Sequence, residues 1–115
     1  MTRGFNKVML MGNVTRDLEL KNTNNGTPVC SFDIAVNDSF QKDASPTFMR
    51  IVTFKNQAES CARFLKKGKP VMVEGRIQTS TWVDQAGVQQ KRHEVVARVV
   101  KFLGNREDNN SALAV

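Results

Sequence analysis

The chain has no tyrosine, one tryptophan, one histidine, two cysteines and three prolines among 115 residues. Each scarcity removes a class of answer. A metal centre needs several converging ligands, and a lone His93 between Arg92 and Glu94, with two distant cysteines, does not supply them. Cys30 and Cys61 form no CxxC pair, so a disulfide framework is not expected and reduced thiols in a cytosolic protein fit better. There is no GxxxxGK[ST] phosphate loop and no GxSxG elbow, and the acids are scattered singly apart from Glu107-Asp108. Neither a catalytic set nor a cofactor is expected. The apolar run in MTRGFNKVMLMGN is too short for a membrane span, and no small-residue cleavage site follows it.

Positive charge, in contrast, is plentiful. Seventeen Lys+Arg against 11 Asp+Glu give a formal +6 and a pI near 9.8, which points to a polyanion, nucleic acid before an anionic membrane surface. With 40% hydrophobic and 24% charged residues, the chain suits one soluble domain, which buries roughly 65% of its unfolded surface at this size. That domain is expected over residues 1–104. Residues 105–115 lack periodicity and read as a flexible tail.

The rhythm along the chain is mostly that of strands. Lys7–Val14 is dense enough in apolar residues for a central strand covered on both sides, and Arg16–Lys21 continues it in more exposed form. After the turn chemistry of NTNNGTP, Val29–Asn37 alternates with Cys30, Phe32, Ile34 and Val36 on the buried side. A polar loop, Asp38–Pro46, carries Phe40 alone, and Thr47–Lys55 is the next strand. Asn56–Pro70 changes period: Ala58, Cys61, Ala62 and Leu65 make a helical stripe. Asn56 and Glu59 resemble a capping box, Lys66 and Lys67 suit a helix C-terminus, and Gly68 can cap the end before Pro70. Val71–Trp82 and Gln89–Leu103 pair about an Asp84–Gly87 turn. Five strands with one short α-helix between the third and fourth, and a protruding hairpin of the last two, match an all-β OB barrel, an architecture used for oligonucleotides and oligosaccharides.

Candidate function resides in the aromatics. Phe32 belongs to the core pattern, Phe64 and Phe102 read as packing residues, and Phe5 has no assignment. Phe40 and Trp82 stand in polar surroundings. In TFMRIVTFKN, Phe48, Arg50, Val52 and Phe54 share one strand face while Met49, Ile51 and Thr53 share the other. An arginine is almost never fully buried unless paired, so the Arg50 face is expected to be wet. Rings on a wet, cationic face suit single-stranded nucleic acid, where each stacked base contributes roughly 1–3 kcal/mol. Lys7, Lys42, Lys55, Lys66, Lys67, Lys69 and Arg76 interleave with these rings.

NKVMLMGNVTRDLEL, FMRIVTFKNQAESCARFLKKGKPVMVEGRI and the hairpin TWVDQAG together resemble the bacterial-type single-stranded DNA-binding proteins, from about Arg3 to Leu103. The resemblance implies an OB barrel, a homotetramer wrapped by single-stranded DNA, and work in replication, recombination and repair in the cytoplasm, at the nucleoid. It implies base stacking at Phe40, Phe48, Phe54 and Trp82, with phenylalanine where relatives often carry tryptophan at two of the corresponding places. Arg50, Lys7 and Lys67 match phosphate-contacting positions, and Lys42 and Lys55 match approximately. Gln78–Thr81 is uncharged where many relatives are basic. The ending REDNNSALAV lacks the acidic tip through which the family recruits replication and repair proteins.

Two other readings use the same barrel. An RNA-binding OB module would usually crowd its aromatics into adjacent short motifs, and poly(dT)–poly(U) competition separates it. A primosome-type or adaptor protein would bury the rings in a protein interface, leaving DNA binding indifferent to Phe48→Ala.

Overall fold

In a computed structural model, which describes residues 2–38 and 45–104, the elements run β1 (Val8–Val14), β2 (Glu19–Asn22), β3 (Pro28–Val36), β4 (Thr47–Phe54), α1 (Lys55–Phe64), β5 (Pro70–Val83) and β6 (Gln89–Phe102). The sheet order is β1-β5-β6-β4-β3-β2, and a second pairing of β1 with β3 closes it. The first expected strand is therefore two. β1 pairs with β5 from Val8 to Asn13 and touches β3 at Asn13 and Val14, while β2 continues along β3 from Glu19 to Asn22. Between them Thr15 anchors to the Asp33 carbonyl through its amide and its hydroxyl. Closure on the far side comes from a short parallel contact, Ile51 with Val95 and Val52 with Val96. Counting the bent β1–β2 as one strand, this is the five-stranded OB barrel with its helix before the last two strands.

The alternation of β3 and β4 fills the barrel. Cys30, Phe32, Ile34 and Ile51 point inward with Val71, Val73 and Val95, each large aliphatic contributing about 1.5–3 kcal/mol on burial. Thr53 also faces in, and its hydroxyl donates to the Cys30 carbonyl at 2.8 Å, so the buried oxygen is satisfied. α1 closes one end by presenting Ala58 and Cys61, with Leu65 just beyond, to the same core.

Four local expectations are corrected. β1 is covered on one side only: Met9 and Met11, 57% and 60% exposed, face out. The helix starts at Lys55, with Phe54 in the cap position and no side-chain cap bond, so Asn56 and Glu59 form no capping box. β4 turns straight into α1 because Lys55 takes φ +60°, a left-handed conformation uncommon outside glycine. At the other end α1 stops at Phe64, so Lys66 and Lys67 lie beyond it; Gly68, at φ +90°, serves the turn into β5 and donates to the Val14 carbonyl. Phe64 is more than half exposed, tilted against Phe102 with ring centroids 5.8 Å apart.

β5 and β6 outgrow the barrel. Their register shifts at Glu74/Gly75, with Arg98 the extra residue on β6. Gly75 is required there, since a Cβ would lie 2.1 Å from the Val96 carbonyl oxygen. Beyond it Arg76–Val83 pairs with Gln89–Val96, and past Val95 and Val96, where β4 joins, Gln78–Val83 and Gln89–Glu94 run on as a two-stranded arm. The arm's tip is tied by Asp84, whose carboxylate accepts the Ala86 and Val88 amides at 3.0 and 2.9 Å and the Gln90 amide at 2.9 Å.

Candidate nucleic-acid interface

Directly opposed residues in a sheet share a face, so the register shows which side chains stand together. From the Val52–Val96 pair, the outer face carries Phe48, Arg50 and Phe54 on β4. Arg92 and Glu94 follow on β6, and their partners Ser80 and Gln78, with Arg76 and Trp82, on β5. Asp33 and Ser31 of β3 extend it on the other side. Three of the four expected rings therefore occupy one continuous outer surface. Phe48 is 64% exposed, Phe54 39% and Trp82 41%, while Ile51 and Thr53 on the opposite side of β4 are fully buried. The even–odd division read in the sequence holds for the direction of the side chains, but Val52, expected on the wet face, is buried at 7% exposure.

Solvated rings of this size are costly to leave uncovered, and cations surround them. Beside Phe48 a concave site of about 230 Å³ is bounded by Asp33, Met49, Arg50, Arg92 and His93. Arg50 reaches Asp33 at 3.8 Å, with both side chains about one-third exposed. Such an open pair is worth about 0–1 kcal/mol, weak enough for a phosphate to displace the carboxylate. The guanidinium carbon of Arg92 lies 5.3 Å from the Trp82 ring centroid. His93 Nδ1 and Thr79 Oγ1 are hydrogen-bonded at 3.1 Å, and His93 borders this site.

The face also holds carboxylates, each engaged. Glu94 is nearly buried and accepts the Gln78 amide at 2.9 Å. Glu74 pairs with Lys7 at 3.5 Å and with Arg98. The bond from Arg98 chiefly, helped by both cations' charge, holds the Glu74 carboxyl below its usual range. Lys7 therefore lies on this surface but already shares an anion. Lys55 is exposed at the β4–α1 corner next to Phe54. Lys67 sits in the turn after α1, where its amide donates to Asp17 at 3.0 Å, and it does not border the site at Phe48. Phe40 and Lys42 lie outside the described residues.

Arg92 and Asp33 were not singled out in the sequence. Both become neighbours of the rings only through cross-strand register, which a linear pattern does not specify. Among the described residues no group of three or more His, Cys, Asp or Glu could hold a metal ion, and no helix is long and apolar enough to cross a membrane.

Comparison with known proteins gives the family. Residues 5–103 match the model of the single-strand binding protein family. The chain is 42% identical over 113 residues to "Single-stranded DNA-binding protein 3" of Clostridium acetobutylicum, covering 96% of this chain and 78% of that protein. It is 46% identical over 102 residues to the single-stranded DNA-binding protein of Caldanaerobacter subterraneus subsp. tengcongensis, covering 86% and 68%. A Staphylococcus aureus "Single-stranded DNA-binding protein 1" is 39% identical over 114 residues, covering 95% and 73%.

Proposed function

This chain belongs to the single-strand binding protein family, and we propose that it coats single-stranded DNA without sequence preference and without catalysis. Bases stack on Phe48, Phe54 and Trp82, with Phe40 as a fourth ring. Phosphates meet Arg50, Lys7, Lys55, Lys67 and Lys42. One observation carries the reading: three rings, 39% to 64% exposed, share an outer face with the guanidinium groups of Arg50 and Arg92. Stacking tolerates any base because every base has a π-face, and the cations follow the backbone. In this role the protein keeps strands unpaired during replication, recombination and repair, in the cytoplasm at the nucleoid. Residues 1–104 form the binding domain and 105–115 its tail.

A homotetramer is part of the proposal. Met9 and Met11 stand exposed on β1, and among the described residues Val8–Gly12 pair on one side only, with β5. An open strand edge beside exposed apolar side chains favours pairing with another copy.

The reading is tested by titrating oligo(dT), poly(U) and duplex of equal length at one salt concentration. Oligo(dT) is expected to bind most tightly; duplex binding as tight as oligo(dT) would refute it.

A further inference from the structure

We propose that Phe5 is an additional base-stacking ring, with Lys7, Arg76 and Arg98 holding the adjoining phosphates, so that the DNA track continues beyond β5 onto the N-terminal segment. The proposal rests on the reading that this outer face binds single-stranded DNA.

Phe5 is the most exposed large hydrophobic residue among those described, at 90%. The backbone beneath it is nevertheless fixed. Asn6 donates from Nδ2 to the Ile77 carbonyl at 2.6 Å and accepts the Ile77 amide on Oδ1 at 2.9 Å. These two bonds tie the segment before β1 to β5 two residues past the last β1–β5 pair, Val8 with Gly75. Phe5 and Lys7 line one cavity with Arg76, a residue of the face that carries Trp82.

Between Phe5 and the barrel lies a cavity of about 450 Å³, with Val96 and Ala97 among its walls and Lys7, Arg76 and Arg98 at its rim. Glu74 is the rim's carboxylate, and Lys7 and Arg98 both bind it, so the rim keeps an excess of positive charge. An apolar ring amid cations makes a poor dry protein contact, since the cations would lose water without gaining partners. It suits a base on the ring with phosphates alongside. Continuity favours DNA as well. Val96 stands between Val52 of β4 and Arg76 of β5, so one row of the sheet leads from the Phe48–Phe54 strand to Arg76.

Two variants test this. In Phe5→Trp combined with Trp82→Phe, position 5 carries the sole indole, because the chain has one tryptophan. Its emission should be quenched on addition of oligo(dT), with binding followed independently by anisotropy of the labelled oligonucleotide. Phe5→Ala should weaken oligo(dT) binding by about fivefold or more, the lower end of one stacked base, with thermal stability unchanged. If the wild type binds oligo(dT) while the position 5 indole stays unquenched and Phe5→Ala binds normally, the proposal is overturned and the face reading survives. If the wild type fails to bind, the face reading itself has failed. A Phe5→Ala protein that loses its oligomeric state, with the indole still unquenched by DNA, would assign the ring to a contact between copies and also overturn the proposal.

Discussion

Arg92 covers Trp82: its guanidinium carbon sits 5.3 Å from the ring centroid. The two residues are diagonal neighbours across the arm, since Trp82 opposes Gln90 and Arg92 opposes Ser80. The contact holds the ring in place while the indole stays 41% exposed; in the proposed binding mode a base takes that exposed surface and Arg92 meets the phosphate that follows. An exposed cation–π contact contributes about 0.5–1 kcal/mol, so it orients the ring without locking it.

Replacing Arg92 should therefore have a recognisable signature. Arg92→Ala is expected to weaken oligo(dT) binding and to lower the steepness of its salt dependence by about 0.7, the contribution of one phosphate on a single strand. Affinities measured across a salt series check this. An unchanged slope would show that Arg92 only props the indole.

Asp33 competes with DNA for Arg50. Their 3.8 Å separation and shared exposure make the pair easy to exchange, and removing the carboxylate leaves Arg50 free for phosphate. Asp33→Asn should tighten oligo(dT) binding by about two- to fivefold at low salt, the size of an exposed ion pair. The gain should shrink as salt rises. Weaker binding of a folded Asp33→Asn protein would mean that the carboxylate positions Arg50 instead.

The arm's tip responds to acid. The Gln90 amide first, then the Val88 backbone amide, with further help from those of Ala86 and Gly87, hold the Asp84 carboxyl below its ordinary value of 3.8. A carboxyl so lowered supports the folded turn fully above that value and loses its effect as pH falls through the still lower folded value. Emission from Trp82, two residues away, should report loosening only below about pH 3.8. Asp84→Ala should show the loosened emission at neutral pH and bind oligo(dT) less tightly, with little change in the thermal unfolding of the barrel.

The cysteines behave as core residues. Burial, with a smaller contribution from neighbouring Cys30, pushes the Cys61 thiol up to about 12, and burial also raises Cys30. Both thiols should resist alkylation at pH 8 in the native protein and react on unfolding. Because the raised values belong to the folded state, the thiols favour folding fully below the ordinary value of 9.0, and this is lost as pH climbs from there toward about 12. Rapid native-state alkylation of Cys61 would show that α1 opens locally.

Much of this was legible in the chain. Period-two alternation fixed the inward sides of β3 and β4, and a 3.6-residue stripe located α1. Arg50 between Phe48 and Phe54 marked a face unsuited to a core. What escaped needed information beyond one strand. The apolar run of β1 looks the same whether both sides are covered or Met9 and Met11 stand bare. Asn56 satisfied a capping rule, but Lys55 entered the helix first through a positive φ that lysine seldom adopts. Arg92, Asp33 and the bulged Arg98 acquired their neighbours only from register. Phe5 precedes β1 without periodicity, and only the Asn6–Ile77 bonds fix its backbone beneath the ring.

The central claim is that rings left in water on this face receive unpaired bases. Its most direct measurement is the emission of Trp82, the chain's sole tryptophan, during titration with oligo(dT) at fixed salt. Deep quenching is expected, saturating with binding and reversing as salt releases the strand. Saturated binding with unaltered Trp82 emission would contradict it.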